Sequence, residues 1–152
     1  MKLFTVLTAV TFSASLALAA PPAPTHLTQS DLRWQQPFGP QGPSFAFVSG
    51  TFNDKKPAVF FLKMAGGADS GWHTHSEDYS AVVVAGTLTE QQGTDAAETP
   101  LPTGTYFTQP AKVPHRNGCQ KGADCIIMIR CDHGADTTVT TRDGKPVPMP
   151  GK

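Results

Sequence analysis

From Phe45 onward the chain alternates short apolar runs with clusters of glycine, proline, asparagine and aspartate. Eight runs rich in aromatic, aliphatic or β-branched residues read as strands: Phe45–Ser49, Ala58–Met64, Trp72–His75, Tyr79–Ala85, Thr87–Gln91, Tyr106–Gln109, Arg116–Cys119 and Cys125–Cys131. Thr137–Thr141 is a weaker ninth. Turn signals separate them at Asn53-Asp54, Gly66-Gly67, Gly86, Gly93 and Pro102–Gly104, with a further break at Gly118. No segment of ten or more residues carries the 3.6-residue period of an amphipathic helix. The pattern predicts an all-β domain, either a sandwich or a barrel. Upstream, Pro21 to Gly42 reads as an arm. Within it Ser30-Asp31 predicts the cap of a short helical turn through Trp34, stopped by Pro37 and Pro40. Trp34 and Phe38 are expected to peg the arm to the body. Downstream, the proline-rich segment Asp143–Lys152 reads as extended coil.

The first residues have a different character. Met1-Lys2 is a short positive start, Leu3 to Leu18 is mostly apolar, and Ala17-Leu18-Ala19 is a small-x-small site. That layout predicts a secretory signal peptide, residues 1–19, cleaved after Ala19. A spanning helix needs about 20 strongly apolar residues; here threonines and serines interrupt the run and Pro21-Pro22 follows it. With no cysteine in this segment there is no lipid attachment site. The expected location is therefore periplasmic or secreted, with no stable membrane anchor.

A length of 152 residues bounds the rest to one domain. The expected division is an arm at 20–44, a barrel at 45–141 and a tail at 142–152. Lys and Arg number 12 against 12 Asp and Glu, a balance that argues against nucleic acid as a partner and against a polybasic membrane surface. Glycine and proline, 14 of each, disfavour helices further. Export also changes how the three cysteines are read. Cys119 and Cys125 flank the polar turn Gln120–Asp124, so a bridge between them is expected, with Cys131 a free, buried thiol. Pairing of either with Cys131 stays open.

Chemistry concentrates at His73-Thr74-His75. On a strand, residues i and i+2 share a face, so both imidazoles enter one space, as a metal would require. The spacing around them is distinctive. Gly67-x5-His73-Thr74-His75-x3-Tyr79-x6-Gly86 is followed, after a 17-residue spacer, by Gly104-x5-Pro110-Ala111-Lys112-x2-His115. These segments resemble the two motifs of the cupin superfamily, with three departures. Tyr79 stands where the family has a glutamate, Lys112 replaces a glycine, and Cys119 replaces an asparagine. More narrowly, the H-x-H-x3-Y segment, Gln109-Pro110 before the third histidine and the late cysteines resemble a subfamily of small exported bacterial cupins without assigned function, related to the cupin domains of some anti-sigma factors.

The resemblance implies a single antiparallel jelly-roll β-barrel of six to nine strands, with His73, His75 and His115 as ligands to one divalent transition metal. Three neutral imidazoles suit Fe, Zn, Mn, Ni or Cu and leave a coordination position for water or substrate. Tyr79 in the carboxylate's place leaves the metal complex more positive, which favours a small anionic ligand or substrate. The phenol is expected to donate a hydrogen bond or to pack rather than to ligate, and it is the candidate catalytic residue. Glu77 falls in a turn where its side chain would be solvated. His133 and Lys112 read as surface residues, Trp72 and Phe107 as core or rim, and His26 lies in the arm and carries no signal. Two functions fit. One is a metal-dependent, dioxygenase-like enzyme acting on a small molecule. The other is a non-catalytic periplasmic metal- or ligand-binding or sensor module. A homodimer is compatible with either.

Overall fold

The structure is a computed structural model that describes residues 26–93 and 97–147. The expected signal peptide and its cleavage site lie outside the described residues. Ten strands are present among those residues: β1 (Ser44–Ser49), β2 (Ala58–Met64), β3 (His73–Thr74), β4 (Tyr79–Ala85), β5 (Thr87–Gln92), β6 (Thr99–Pro102), β7 (Tyr106–Gln109), β8 (His115–Cys119), β9 (Cys125–Cys131) and β10 (Thr138–Val139). They form two five-stranded antiparallel sheets, β1-β2-β9-β4-β7 and β10-β3-β8-β5-β6.

The first sheet is built around two nearly continuous apolar runs, β2 and β9. β2 and β9 pair along their whole length, from Ala58 opposite Cys131 to Met64 opposite Cys125. Cys125, Ile127, Ile129 and Cys131 turn inward. Ala81 and Val83 of β4 meet them on the next strand, and Leu88 of β5 and Leu101 of β6 come from the facing sheet. Each aliphatic side chain buried in this way contributes roughly 1.5–3 kcal/mol.

Seven of the nine expected runs are strands of nearly the expected extent, and Thr137–Thr141 shortens to the two-residue β10. His115 belongs to β8, one residue earlier than expected, whereas Trp72 and His75 flank a two-residue β3. Strand β6, not expected from the sequence, takes the count to ten. It carries Pro100 and Pro102, neither of which can donate to a ladder. The structure accommodates both because β6 lies at a sheet edge and pairs with β5 alone. The helical turn is shorter than expected, a 3-10 turn at Gln29–Asp31. Its cap is Thr28, whose N–H and hydroxyl both donate to Asp31 Oδ2, at 2.7 and 2.6 Å. The arm is pinned as expected. Gln35 bridges Phe45, Phe38 sets its ring edge-on against Phe45 and Phe52, and the Lys63 ammonium lies over Trp34. The described part of the tail is not simple coil: it turns at Gly144 and bridges Thr140 through Pro146.

Cys119 and Cys125 are joined by a disulfide, their Cα atoms 5.7 Å apart, and Cys131 is free and buried.

Candidate metal centre

His73 opens β3 and faces His115, the first residue of β8, directly across the ladder. His75 follows with the same side-chain parity, and its carbonyl accepts a 2.8 Å bond from the Lys112 N–H. That bond ties the H-x-H segment to the turn entering β8. The turns are set by residues in the left-handed region. Gly67, Gly86 and Gly104 have φ of +87°, +77° and +89°, and Lys112 has φ 62°. The position where the family carries glycine thus keeps a glycine-like backbone although it carries a lysine. At Gly86 a side chain is also excluded by space, since a Cβ would lie 2.7 Å from Asp124 O.

The three imidazoles converge. Their donor atoms lie within 4.8 Å of one another, with ring centroids 4.2 to 5.2 Å apart. In each ring Nδ1 donates to a backbone carbonyl: His73 to Gly71 at 2.9 Å, His75 to Asp136, and His115 to Val113 at 3.0 Å. A ring that gives its only proton at Nδ1 presents a bare lone pair at Nε2. Nε2 of His75 and of His115 is buried with no hydrogen-bond partner. Two orphaned buried acceptors beside a third imidazole are costly unless something electron-poor sits between them. The donor set therefore fits a divalent metal, with the carbonyl bonds fixing tautomer and orientation as outer-shell partners of metal-bound histidines do. Burial, and mutual repulsion between charged rings, hold His73 down to about 4 and His115 down to about 3, so both are neutral at physiological pH. His75 is lowered too, chiefly by burial.

Tyr79, at the start of β4 in the other sheet, sets its ring edge-on to His75 with centroids 5.1 Å apart. It also meets Phe107 at 6.3 Å. Burial, with a smaller contribution from Glu90, raises its hydroxyl far above the usual phenol range, so it stays protonated.

Sequence reasoning missed a group of polar residues around this cluster. On β5, Gln92 lies opposite His115 and Glu90 opposite Asn117, on the same inward parity as the core residue Leu88. Gln109 is fully buried opposite Tyr79, and Asn117 is buried on β8. The Gln92 side-chain amide donates to Glu90 Oε1 at 3.1 Å and lies 3.3 Å from Gln109 Oε1, joining the two sheets. The signal was weak because Leu88 is the single apolar residue in Thr87–Gln92. The register with His115 shows that Glu90 and Gln92 share its inward face with the imidazoles. The remaining candidates lie elsewhere. Glu77, Lys112, His133 and His26 are exposed. Trp72 sits outside the cluster, under the guanidinium groups of Arg116 and Arg142.

A domain of unknown function, DUF4437, matches residues 25–137. The chain belongs to this family. A search of curated proteins returned no match. Solved structures with the same fold are cupins, or double-stranded β-helix proteins. An RmlC-like cupin from Shewanella frigidimarina is 17% identical, with a TM-score of 0.54 over 68% of this chain and 87% of that one. The anti-sigma ChrR of Rhodobacter sphaeroides, solved with SigE, is 20% identical, with a TM-score of 0.55 over 69% of this chain and 51% of that one. The DMSP lyase DddQ of Ruegeria pomeroyi is 16% identical, with a TM-score of 0.58 over 76% of this chain and 64% of that one. At these identities the likeness shows the cupin fold.

Proposed function

We propose that this DUF4437 chain is an exported cupin in which His73, His75 and His115 hold one divalent transition metal through Nε2, and that it acts on a small anionic molecule as a metal-dependent, dioxygenase-like enzyme. The observation that carries the metal site is the pair of orphaned buried Nε2 atoms, each on a ring whose Nδ1 is committed to a carbonyl. A metal held there would supply Lewis acidity at a coordination position left for substrate. The chain's own residues supply the rest. Tyr79, kept protonated by burial, is a hydrogen-bond donor beside His75. Phe107 packs against the Tyr79 ring and holds it in place. The Cys119–Cys125 disulfide supports an oxidising compartment and so the reading of residues 1–19 as a cleaved signal. A fold neighbour that is a DMSP lyase supports an enzyme reading of the barrel.

One observation favours a second reading, a non-catalytic binding or sensor module. Tyr79 is packed against His75 and Phe107 and so has a structural task that requires no chemistry. No helix among the described residues is long and apolar enough to cross a membrane, and the charge balance supports a small molecule rather than nucleic acid as partner.

Elemental analysis of protein purified without added metal tests the site. One transition metal per chain is expected, and none after His73, His75 and His115 are all replaced by alanine. A triple variant that keeps its metal would place the site elsewhere.

A further inference from the structure

Resting on that metal reading, we propose that Glu90 is the recognition carboxylate of the site: it receives the donor end, hydroxyl or ammonium, of a small bipolar ligand whose oxyanion end faces the three histidines. The register places it. Gln92 stands opposite His115, and Glu90 is two residues further along the same strand face, opposite Asn117. Two residues of strand span roughly 7 Å, the scale of a small molecule reaching from the imidazoles to the carboxylate.

Glu90 is half-buried on an inward face that otherwise carries Leu88 and Gln92. A carboxylate there is costly unless something compensates it. The ion pairs formed among the described residues all involve other acids, so no lysine or arginine neutralises Glu90. Among the described residues its side-chain donor is the Gln92 amide, 3.1 Å from Oε1. A carboxylate has about four lone-pair sites, so capacity to accept remains. Gln92 is held in turn by the fully buried Gln109 on the opposite sheet, which fixes the carboxylate from behind. The negative charge also reaches Tyr79, where it adds to the effect of burial. One charge of each sign, metal and carboxylate, thus bounds the same interior. That arrangement selects a ligand with an oxyanion at one end and a hydrogen-bond donor at the other over a simple anion.

Isothermal titration of the full chain loaded with Co(II) tests this. The probes are ω-amino acids from glycine to 5-aminopentanoate, the ω-hydroxy acids of matching length, and the plain alkanoates. One chain length is expected to bind roughly tenfold or more tightly than its alkanoate, as a charge-assisted hydrogen bond allows. The amino and hydroxy series tell an ammonium from a hydroxyl. Glu90→Gln, nearly isosteric, should abolish that preference while the cobalt stoichiometry and visible spectrum stay unchanged. Equal binding of donor-bearing and plain acids, or a preference that survives Glu90→Gln, would overturn the role of Glu90 and leave the metal site standing. Cobalt binding that survives His115→Ala would overturn the metal reading and the Glu90 inference with it.

Discussion

On the β1–β2 flank the interior is filled by Phe45, Phe47 and Phe60, joined by Phe52 from the intervening loop. Their ring centroids lie between 4.9 and 5.9 Å apart. Where β3 and β8 face β4 and β7, inward positions carry three histidines, Tyr79, Gln109 and Asn117 instead. Both regions are built from antiparallel strand pairs. In the aromatic region every buried group gains from leaving water, and edge-to-face ring pairs add about 0.5–1.5 kcal/mol each. In the polar region His75 and His115 each bury a nitrogen without a partner. The contrast teaches that one flank stabilises the barrel and the other draws on that stability to hold a prepared site.

The largest expected effect of a single substitution is on the aromatic side. Phe60→Ala removes the ring that touches Phe45, Phe47 and Phe52. It should cost about 3–5 kcal/mol in urea unfolding and leave the metal content of the folded fraction unchanged. On the polar side, His115→Leu in metal-free protein should cost far less, because it removes an unsatisfied buried nitrogen. A comparably large loss there would break the contrast.

Acid sharpens it next. The folded histidines stay neutral until about pH 4 for His73 and about 3 for His115, whereas in the unfolded chain they take protons from about 6.5. Below about 6.5 the unfolded state therefore binds more protons. Stability of the metal-free protein should fall by about 1.4 kcal/mol per pH unit for each such histidine as pH drops below 6.5, with the His73 contribution ending near 4 and the His115 contribution near 3. Urea midpoints measured across that window check this. His73→Leu should flatten the slope, while a flat wild-type profile would show that the rings are not buried neutral.

Much of this was legible in the sequence, for physical reasons that differ by residue. The strands of the first sheet announce themselves because β2 and β9 are nearly continuous apolar runs bounded by turn residues. The histidine cluster was legible because i and i+2 on a strand share a face, and because the turn glycines on either side have fixed spacings. Strand β6 was hidden by Pro100 and Pro102, which read as a loop until the structure puts them at an edge. Glu90, Gln92 and Gln109 were hidden because inward and outward positions of a polar strand look alike. Their direction depends on pairing with β8 and on a bond across the sheets, neither of which is local.

The disulfide is the next smaller effect and lies outside both regions. Closing the short loop from Cys119 to Cys125 should stabilise by about 2 kcal/mol. Replacing both cysteines by alanine should lower unfolding stability by that amount, and metal content should not change. Cys131 is buried, with its thiol pushed up to about 11 by that burial and by nearby Asp136, Asp132 and Asp78. Thiol titration of the native protein should find no reactive group, and of the unfolded, non-reduced protein one. Three thiols on unfolding would refute the bridge.

Tyr79 stands where the two regions meet, since its ring joins the apolar packing and its edge faces His75. Tyr79→Phe keeps the ring and deletes the hydroxyl, so the effect on stability should be the smallest, about 1 kcal/mol or less, with metal content unchanged. Function then decides between the two readings. If the hydroxyl donates a proton or hydrogen bond to a reacting group, turnover should fall by about a hundredfold or more while binding persists. The assay is a panel of small anions against Fe(II)- and Zn(II)-loaded protein, with oxygen uptake marking a dioxygenase. If the ring only packs beneath the histidines, Tyr79→Phe will match the parent in every assay and the loaded protein will bind without turnover. That pair of outcomes would make the polar region a receptor for its ligand, and the enzyme reading would give way to the binding module.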